Sequence, residues 1–177
     1  DTALKANLDP LAVIGDFDSI STSAKTAIGA QKLMAVHEQD STDFEKCLAR
    51  IDAPFVIAVG FTGRRLDHTL AALSVLARHI GPPTLLLDRY DAVLAPRGPL
   101  TLGIDAGVRV SLFPMARTKG RSRGLYWPID GLEFSPSSRV GTSNMSTGPV
   151  EMAFEQAGML VMLPAAESDA FMPALRG

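Results

Sequence analysis

Cysteine is nearly absent: Cys47 is the only one in 177 residues. No internal disulfide is available, and a reducing compartment, the cytoplasm, is the expected setting. No apolar run approaches the roughly 20 residues of a membrane-spanning helix, and no basic-then-apolar leader opens the sequence. Charge of one sign is also scarce. A formal net charge of −2 gives no bulk attraction for nucleic acid or an anionic membrane, and neither is expected as a partner. Two phosphate-binding signatures, G-x-x-x-x-G-K-[ST] and G-x-G-x-x-G, are missing, as are internal repeats and low-complexity tracts.

What is present is an ordinary globular composition, 46% apolar and 20% charged, long enough for one domain or two small ones. Cys47 lies in a helix-like pattern and reads as a small buried apolar group. The chain opens on Asp1, and "DTALKANLDP" reads as a helix tail entering a loop, so upstream residues, including a first strand, are expected to be missing.

The first half alternates two rhythms. "LAVIGD", "KLMAVHEQ", "PFVIAVGF" and "PTLLLDRY" are short apolar runs, which suit strands covered on both faces of a mostly parallel sheet. Between them lie helical spacings: Phe44, Cys47, Leu48 and Ile51 in one segment, and Leu66, Leu70, Leu73, Leu76 and Ile80 in another. This alternation implies α/β layers with right-handed crossovers. Pro96, Gly98 and Pro99 then mark a change. Beyond them "VRVSLF" alternates, "GLYWPIDGLEF" is rich in turns and "GMLVMLP" is a short terminal run, as expected for a small antiparallel β unit. The fold class is therefore α/β: residues 1–97 form a mostly parallel three-layer domain and residues 98–177 a smaller antiparallel β domain.

Three polar clusters follow apolar runs and precede helices, where parallel sheets bind ligands. In "GDFDS", Asp16 and Asp18 can face one hard cation if the backbone turns between them; alternatively Asp18 or Ser19 caps a helix. In "HEQDSTDFEK", Asp40 can cap a helix with Asp43 in its first turn. Yet Gln39, Asp40, Thr42 and Asp43 also form a dense run of oxygen and amide groups at a helix start that would receive phosphate. In "GFTGRRLDHTLA", Gly60 and Gly63 make a loop and Arg64 and Arg65 can clamp phosphate, while Asp67 is either an N-cap or a functional carboxylate. Carboxylates, arginines and helix starts together are the parts that phosphoryl-type transfer from a nucleotide requires.

"GDFDSI", "QDSTDFEKCL" and "GRRLDHTLAAL", followed by "GLYWPIDG" and "GTSN", resemble in this order the thiamine pyrophosphokinase (thiamine diphosphokinase) family, across roughly residues 1 to 163. The resemblance implies an α/β nucleotide domain followed by a β-sandwich domain that binds thiamine and forms a homodimer. It implies transfer of the pyrophosphoryl group of ATP to the thiamine hydroxyl, giving thiamine diphosphate and AMP. Carried over by motif, Asp16, Asp18 and Asp43 would hold Mg²⁺. Gln39, Asp40, Thr42, Lys46, Arg64 and Arg65 would form the ATP site, with Asp67 orienting the attacking hydroxyl or a metal-bound water. Thr142, Ser143 and Asn144 would line the thiamine site, and Tyr126 and Trp127 are candidates to meet the cationic thiazolium. The family's usual opening, a strand leading into an ADGG-type loop, has no counterpart here.

Three other readings compete. A related pyrophosphokinase would act on a pterin alcohol, and a degenerate relative would bind nucleotide or thiamine without turnover. A nucleotide-sugar transferase would use Asp16 and Asp18 but leaves the later motifs unexplained. A small β domain also gains from a partner surface, which is a second reason to expect a dimer.

Overall fold

A computed structural model describes residues 1–38, 40–63 and 65–177. Gln39 and Arg64, both expected at the ATP site, lie outside the described residues. The chain forms two compact units, Asp1–Ile51 and Asp52–Gly177.

The first unit contains helix α1 (Thr2–Lys5), strand β1 (Val13–Gly15), helix α2 (Thr22–Ile28), strand β2 (Leu33–Ala35) and helix α3 (Asp43–Leu48). β1 and β2 pair in parallel, Val13 opposite Leu33 and Gly15 opposite Ala35. The periodicity read for α3 is present: Phe44 and Leu48 are buried. Cys47 is half-buried, with Sγ 3.8 Å from the Ile14 carbonyl. Burial pushes its thiol pKa up, which disfavours the reactive thiolate.

The second unit is one curled sheet with helices. Its elements are β3 (Val56–Val59), α4 (Leu66–Ala77), β4 (Thr84–Leu87), β5 (Asp91–Leu94), β6 (Leu100–Leu102), β7 (Arg109–Pro114), β8 (Thr118–Leu125), β9 (Glu133–Phe134), β10 (Thr142–Phe154), β11 (Met159–Pro164) and α5 (Met172–Arg176). The strand order is β3-β4-β5-β11-β7-β10-β8-β9, with β6 also on β10. β3 and β4 pair in parallel, whereas β4 and β5 are antiparallel. The reversal has a local cause. Asp88 accepts hydrogen bonds from the backbone of Tyr90 at 2.7 Å and Asp91 at 2.8 Å, closing a tight hairpin, and a hairpin joins only antiparallel strands. Among the described residues, parallel strand pairing is thus limited to two pairs in separate sheets, and most of the larger sheet is antiparallel. Hydrogen bonding also continues across residue 97 through the pairing of β5 with β11. The fold is mixed α/β with a large curled sheet.

The curl is made by β10. Thr142–Met145 pairs with β7, whereas Val150–Met152 pairs with β6, and the register on β8 shifts between Ser146 and Glu151. Such a bulge bends a strand and increases its twist. The core inside the curl includes Leu85, Leu102, Ile129, Phe134, Val161 and Phe171. α4 departs from its expected face. Leu66 and Leu70 are 71% and 51% exposed, while Ala72, Val75, Leu76 and Ala77 are buried. Periodicity gave the helix but not which side packs. β3 likewise buries Ala58 and exposes Ile57 and Val59, so it is not covered on both faces. Among the described residues no helix is long and apolar enough to cross a membrane.

Candidate active site

At the carboxyl end of β1 the chain turns through Asp16, Phe17 and Asp18. Phe17 has φ +65°, a left-handed conformation that a bulky residue adopts only where its surroundings enforce it. The Asp18 amide donates to Asp16 Oδ1 at 3.1 Å, and Lys25 Nζ lies 5.8 Å from the centre of the Phe17 ring. The capping alternative for this segment is not realised. The N-cap of α2 is Ser21, whose hydroxyl accepts from the Ala24 amide at 3.1 Å. Asp18 is exposed, and its carboxylate is not used on the helix. The chain does turn between the two acids.

Asp43 comes to the same place. A methyl group on Gly15 would stand 3.1 Å from Asp43 Oδ1, so the carboxylate lies directly against the backbone that leads into Asp16. A Cβ there would crowd the carboxylate, at a φ of +156° that glycine adopts most readily. Asp43 is set by the start of α3. There the N-cap is Thr42, accepting from Glu45 N–H at 3.2 Å, and not Asp40. A hydroxyl cap of this kind contributes about 1 kcal/mol. One turn later Lys46 is 3% exposed, with its ammonium 3.5 Å from Asp43 Oδ1.

The segment before α3 is organised by a residue the motif reading passed over. The Glu38 carboxylate accepts from Asp40 N–H at 2.9 Å, from Ser41 N–H at 3.1 Å and from the Ser41 hydroxyl. The Ser41 hydroxyl is the main reason its carboxyl is held below the ordinary range. An acid two and three residues ahead of free amides is an Asx-like signal, but the run of polar residues masked it.

In the second unit, Gly60 and Gly63 both have positive φ in the loop after β3. Thr62 donates to Asp88 at 2.9 Å. Asp67 is not an N-cap, since Arg65 occupies that position without a side-chain cap. Asp67 instead takes a bidentate pair from Arg65, Nε to Oδ1 at 3.1 Å and a terminal nitrogen to Oδ2 at 2.5 Å. The hydrogen bond from Arg65 holds the Asp67 carboxyl below the usual range, so it is ionised near neutrality and available as a proton acceptor only once that pair loosens.

The later motifs meet at one place. β10 alternates, so Asn144 and Ser146 are buried while Ser143 and Met145 are exposed on the other face. Thr142 and Asn144 therefore share a face that Ser143 does not. The glycine of "GTSN" is dictated by the neighbouring strand: a Cβ on Gly141 would stand 2.0 Å from the Leu112 carbonyl. Asn144 bonds the backbone of Trp127. Tyr126 and Trp127 are 58% and 55% exposed, edge to face with centroids 4.7 Å apart. The structure thus brings together Asp43 with the Asp16–Asp18 turn, Arg65 with Asp67, and Asn144 with Trp127.

Among the described residues no three His, Cys, Asp or Glu side chains form a metal cage of their own. The donors at the β1 turn are carboxylate oxygens beside a bare backbone. That set suits a hard cation that takes one or two carboxylates and fills its shell from phosphate and water.

Known proteins point the same way. A family model for the thiamin pyrophosphokinase catalytic domain matches residues 2–83. Thiamine pyrophosphokinase 1 of Oryza sativa subsp. japonica is 28% identical over 156 residues, 77% of this chain and 59% of that protein. Thiamin pyrophosphokinase 1 of Caenorhabditis elegans is 28% identical over 155 residues, 78% of this chain and 63% of that protein. The crystal structure of thiamin pyrophosphokinase from Geobacillus thermodenitrificans superposes with TM-score 0.73 at 27% identity, covering 96% of this chain and 83% of that one. The chain is similar to the thiamine pyrophosphokinase family. Yeast thiamin pyrophosphokinase, at 18% identity and TM-score 0.71, shares the fold. Asp16, Asp18, Asp43, Arg65 and Asp67 all fall inside the stretch that the family model matches, and the "GTSN" strand lies beyond it. The chain spans about three fifths of the length of the rice and nematode relatives. Neither the pterin alcohol reading nor the non-catalytic one gains support from these likenesses.

Proposed function

We propose that this chain transfers the pyrophosphoryl group of ATP to the hydroxyl of thiamine. The hydroxyl oxygen attacks the β-phosphorus, the bond from that phosphorus to the α,β-bridging oxygen breaks, AMP leaves and the hydroxyl proton passes to a carboxylate. The observation that carries this reading is the turn at Asp16-Phe17-Asp18 with Asp43 set against Gly15, in a chain similar to this family. Asp16, Asp18 and Asp43 would hold Mg²⁺, which when bound offsets phosphate charge and polarises the phosphoryl oxygens.

The chain's own groups do the rest. Lys46 and Arg65 offset the triphosphate, with Gln39, Asp40, Thr42 and Arg64 as further contacts to it. Asp67 orients the acceptor hydroxyl, a poor nucleophile for which in-line placement is the largest contribution. Proton acceptance by a carboxylate comes late in such a loose transition state. Residues 1–97 serve ATP and residues 98–177 serve thiamine and a homodimer contact, the latter supported by the exposed Phe113, Tyr126, Trp127, Val140 and Met145. Thr142, Ser143 and Asn144 belong to the thiamine side. ATP and a single reduced thiol suit the cytoplasm.

The test is incubation with ATP, Mg²⁺ and thiamine. Equal amounts of AMP and thiamine diphosphate are expected. ADP as product, or turnover that ignores thiamine, would sink the reading.

A further inference from the structure

Strands β6, β10 and β8 give one face to the core and the other to solvent. Leu100 and Met152 are 1% and 3% exposed on the inner face, so their neighbours Thr101 and Glu151 stand outward. Register sets Thr101 of β6, Glu151 of β10 and Arg123 of β8 in one row across the three strands. Arg121 comes next on β8, opposite Ala153. The period of two along β8 puts both arginines on the outer face, about 7 Å apart along the strand. They border a cleft of about 470 Å³ that Thr101, Glu151, Ala153 and Asp130 also line.

Among the described residues neither Arg121 nor Arg123 forms an ion pair, and nor does Glu151. Pairing is available to this part of the sheet, since Arg117, just before β8, takes Glu133 at 2.9 Å. Glu151 is opposite Arg123 in register and would be its obvious partner, yet the two stay apart. A guanidinium takes phosphate oxygens two at a time. Two such forks on one strand face suit two linked phosphoryl groups, one for each fork. The acids set the rest. Asp130 is held in place, its Oδ2 accepting from Ser122 N–H at 3.3 Å, and with Glu151 it favours positive charge beside the phosphates. The cleft also has the volume of a site for an organic molecule, a class that spans about 300–1,000 Å³. Inorganic pyrophosphate would fill only part of it.

We infer that this cleft binds a small diphosphate ester with a positively charged organic body, Arg121 and Arg123 holding the diphosphate while Glu151 and Asp130 face the body. None of these residues is among those assigned to metal, ATP or thiamine. Thiamine diphosphate belongs to the class, and ADP carries the same diphosphate without the cation.

The test uses the whole chain with EDTA in place of Mg²⁺, so that metal-held phosphate does not contribute. Both arginines are exposed, and their replacement should leave cooperative unfolding unchanged. In titration calorimetry with thiamine diphosphate, Arg121→Gln and Arg123→Gln should each weaken binding at least tenfold, the scale of a lost hydrogen bond to a charged group. Arg121→Lys keeps the charge without the fork and should fall between Arg121→Gln and the wild type. ADP should bind more weakly than thiamine diphosphate. Glu151→Gln should narrow that difference and leave the affinity for inorganic pyrophosphate no weaker.

Wild-type affinity for thiamine diphosphate in both arginine variants would overturn the inference, as would no binding by the wild type at millimolar concentration. ADP bound as tightly as thiamine diphosphate would overturn it by removing the cationic body. A halved mass in solution for Arg121→Gln/Arg123→Gln would overturn it too and give the cleft to a subunit contact. Binding is read without turnover, so a failure of the proposed transfer reaction would leave this test intact.

Discussion

The first compact unit, Asp1–Ile51, rests on two strands of three residues each, whereas the second, Asp52–Gly177, wraps nine strands around a continuous core. A two-stranded sheet is marginal by itself, and strands gain stability in larger sheets with a packed apolar face. Yet the carboxylates proposed to hold Mg²⁺, the left-handed Phe17 and the buried Lys46 all lie in the smaller unit. The proposed metal site and most of the packed core thus lie in different stretches of chain. A left-handed Phe17 persists only where the surrounding structure enforces it.

The comparison is sharpened most by removing charge from the first unit. Asp43→Asn, or Asp16→Asn, should lower Mg²⁺-dependent formation of thiamine diphosphate by about a hundred- to a thousandfold, the scale for removing one preorganised electrostatic group. Thermal unfolding of the second unit should change little. Steady-state kinetics beside calorimetry checks both. Near-full turnover in either variant means that the carboxylate is not part of the site.

Next comes core truncation in each unit. Phe134, fully buried on β9, should cost about 3–5 kcal/mol as Phe134→Ala, read from urea unfolding. Leu48→Ala, in α3, should act locally. Amides of α3 and β1 should exchange faster while those of β7, β10 and β11 keep their protection. Uniform loss of protection throughout the chain would break the division into two units.

Much of the fold was legible from residue patterns. The apolar runs became β1 to β4, the spacing of Phe44 and Leu48 gave α3, and the turn-rich second half gave antiparallel strands. What escaped was long-range or set by single hydrogen bonds. Nothing in "PTLLLDRY" tells that Asp88 would close a hairpin and turn the sheet antiparallel. The α4 pattern also contains small residues, and Ala72 and Ala77 were taken inside in place of Leu66 and Leu70, which no count of apolar positions distinguishes. At the site, "GDFDS" was legible as two acids, but the positive φ of Phe17 between them was not. The capping role went to Ser21 and Thr42, hydroxyls three residues beyond Asp18 and two beyond Asp40, because a cap depends on where the helix begins and that boundary is the least determined feature of a sequence pattern. In "GTSN", the period of two along a strand separates Ser143 from Asn144, a consequence readable only once the segment is known to be extended.

A smaller effect tests the second unit's tolerance of close backbone approach. Gly141→Ala places a methyl group against the Leu112 carbonyl at φ +132°, and should cost about 2 kcal/mol or more, measured by denaturant midpoint. The damage should spread to Asn144 and so to Trp127 emission. A neutral Gly141→Ala would mean that β7 and β10 can move apart freely, and the contrast between a rigid sheet and a thin first unit would weaken.

The smallest effect is electrostatic and belongs to the first unit. Glu38 is held below its ordinary value of 4.5 chiefly by the Ser41 hydroxyl, with the amides of Ser41 and Asp40 adding to this. A carboxyl whose folded pKa is depressed contributes stability that is complete above the unfolded value. That contribution is lost as pH falls through the folded one. Protection of the amides of Asp40 and Ser41 should therefore hold at neutral pH and fade on acidification, as pH falls through the ordinary glutamate value and on through the lower folded one. Glu38→Gln keeps an acceptor oxygen but carries no titrating charge, so its protection should be weaker at neutral pH and nearly flat across that window. Amides of β10 and β11 should show no such pH profile in either protein. The same acid-dependent loss in Glu38→Gln would assign the transition to a neighbouring carboxylate, with Asp43 the first to examine because it shares the helix start that this segment leads into.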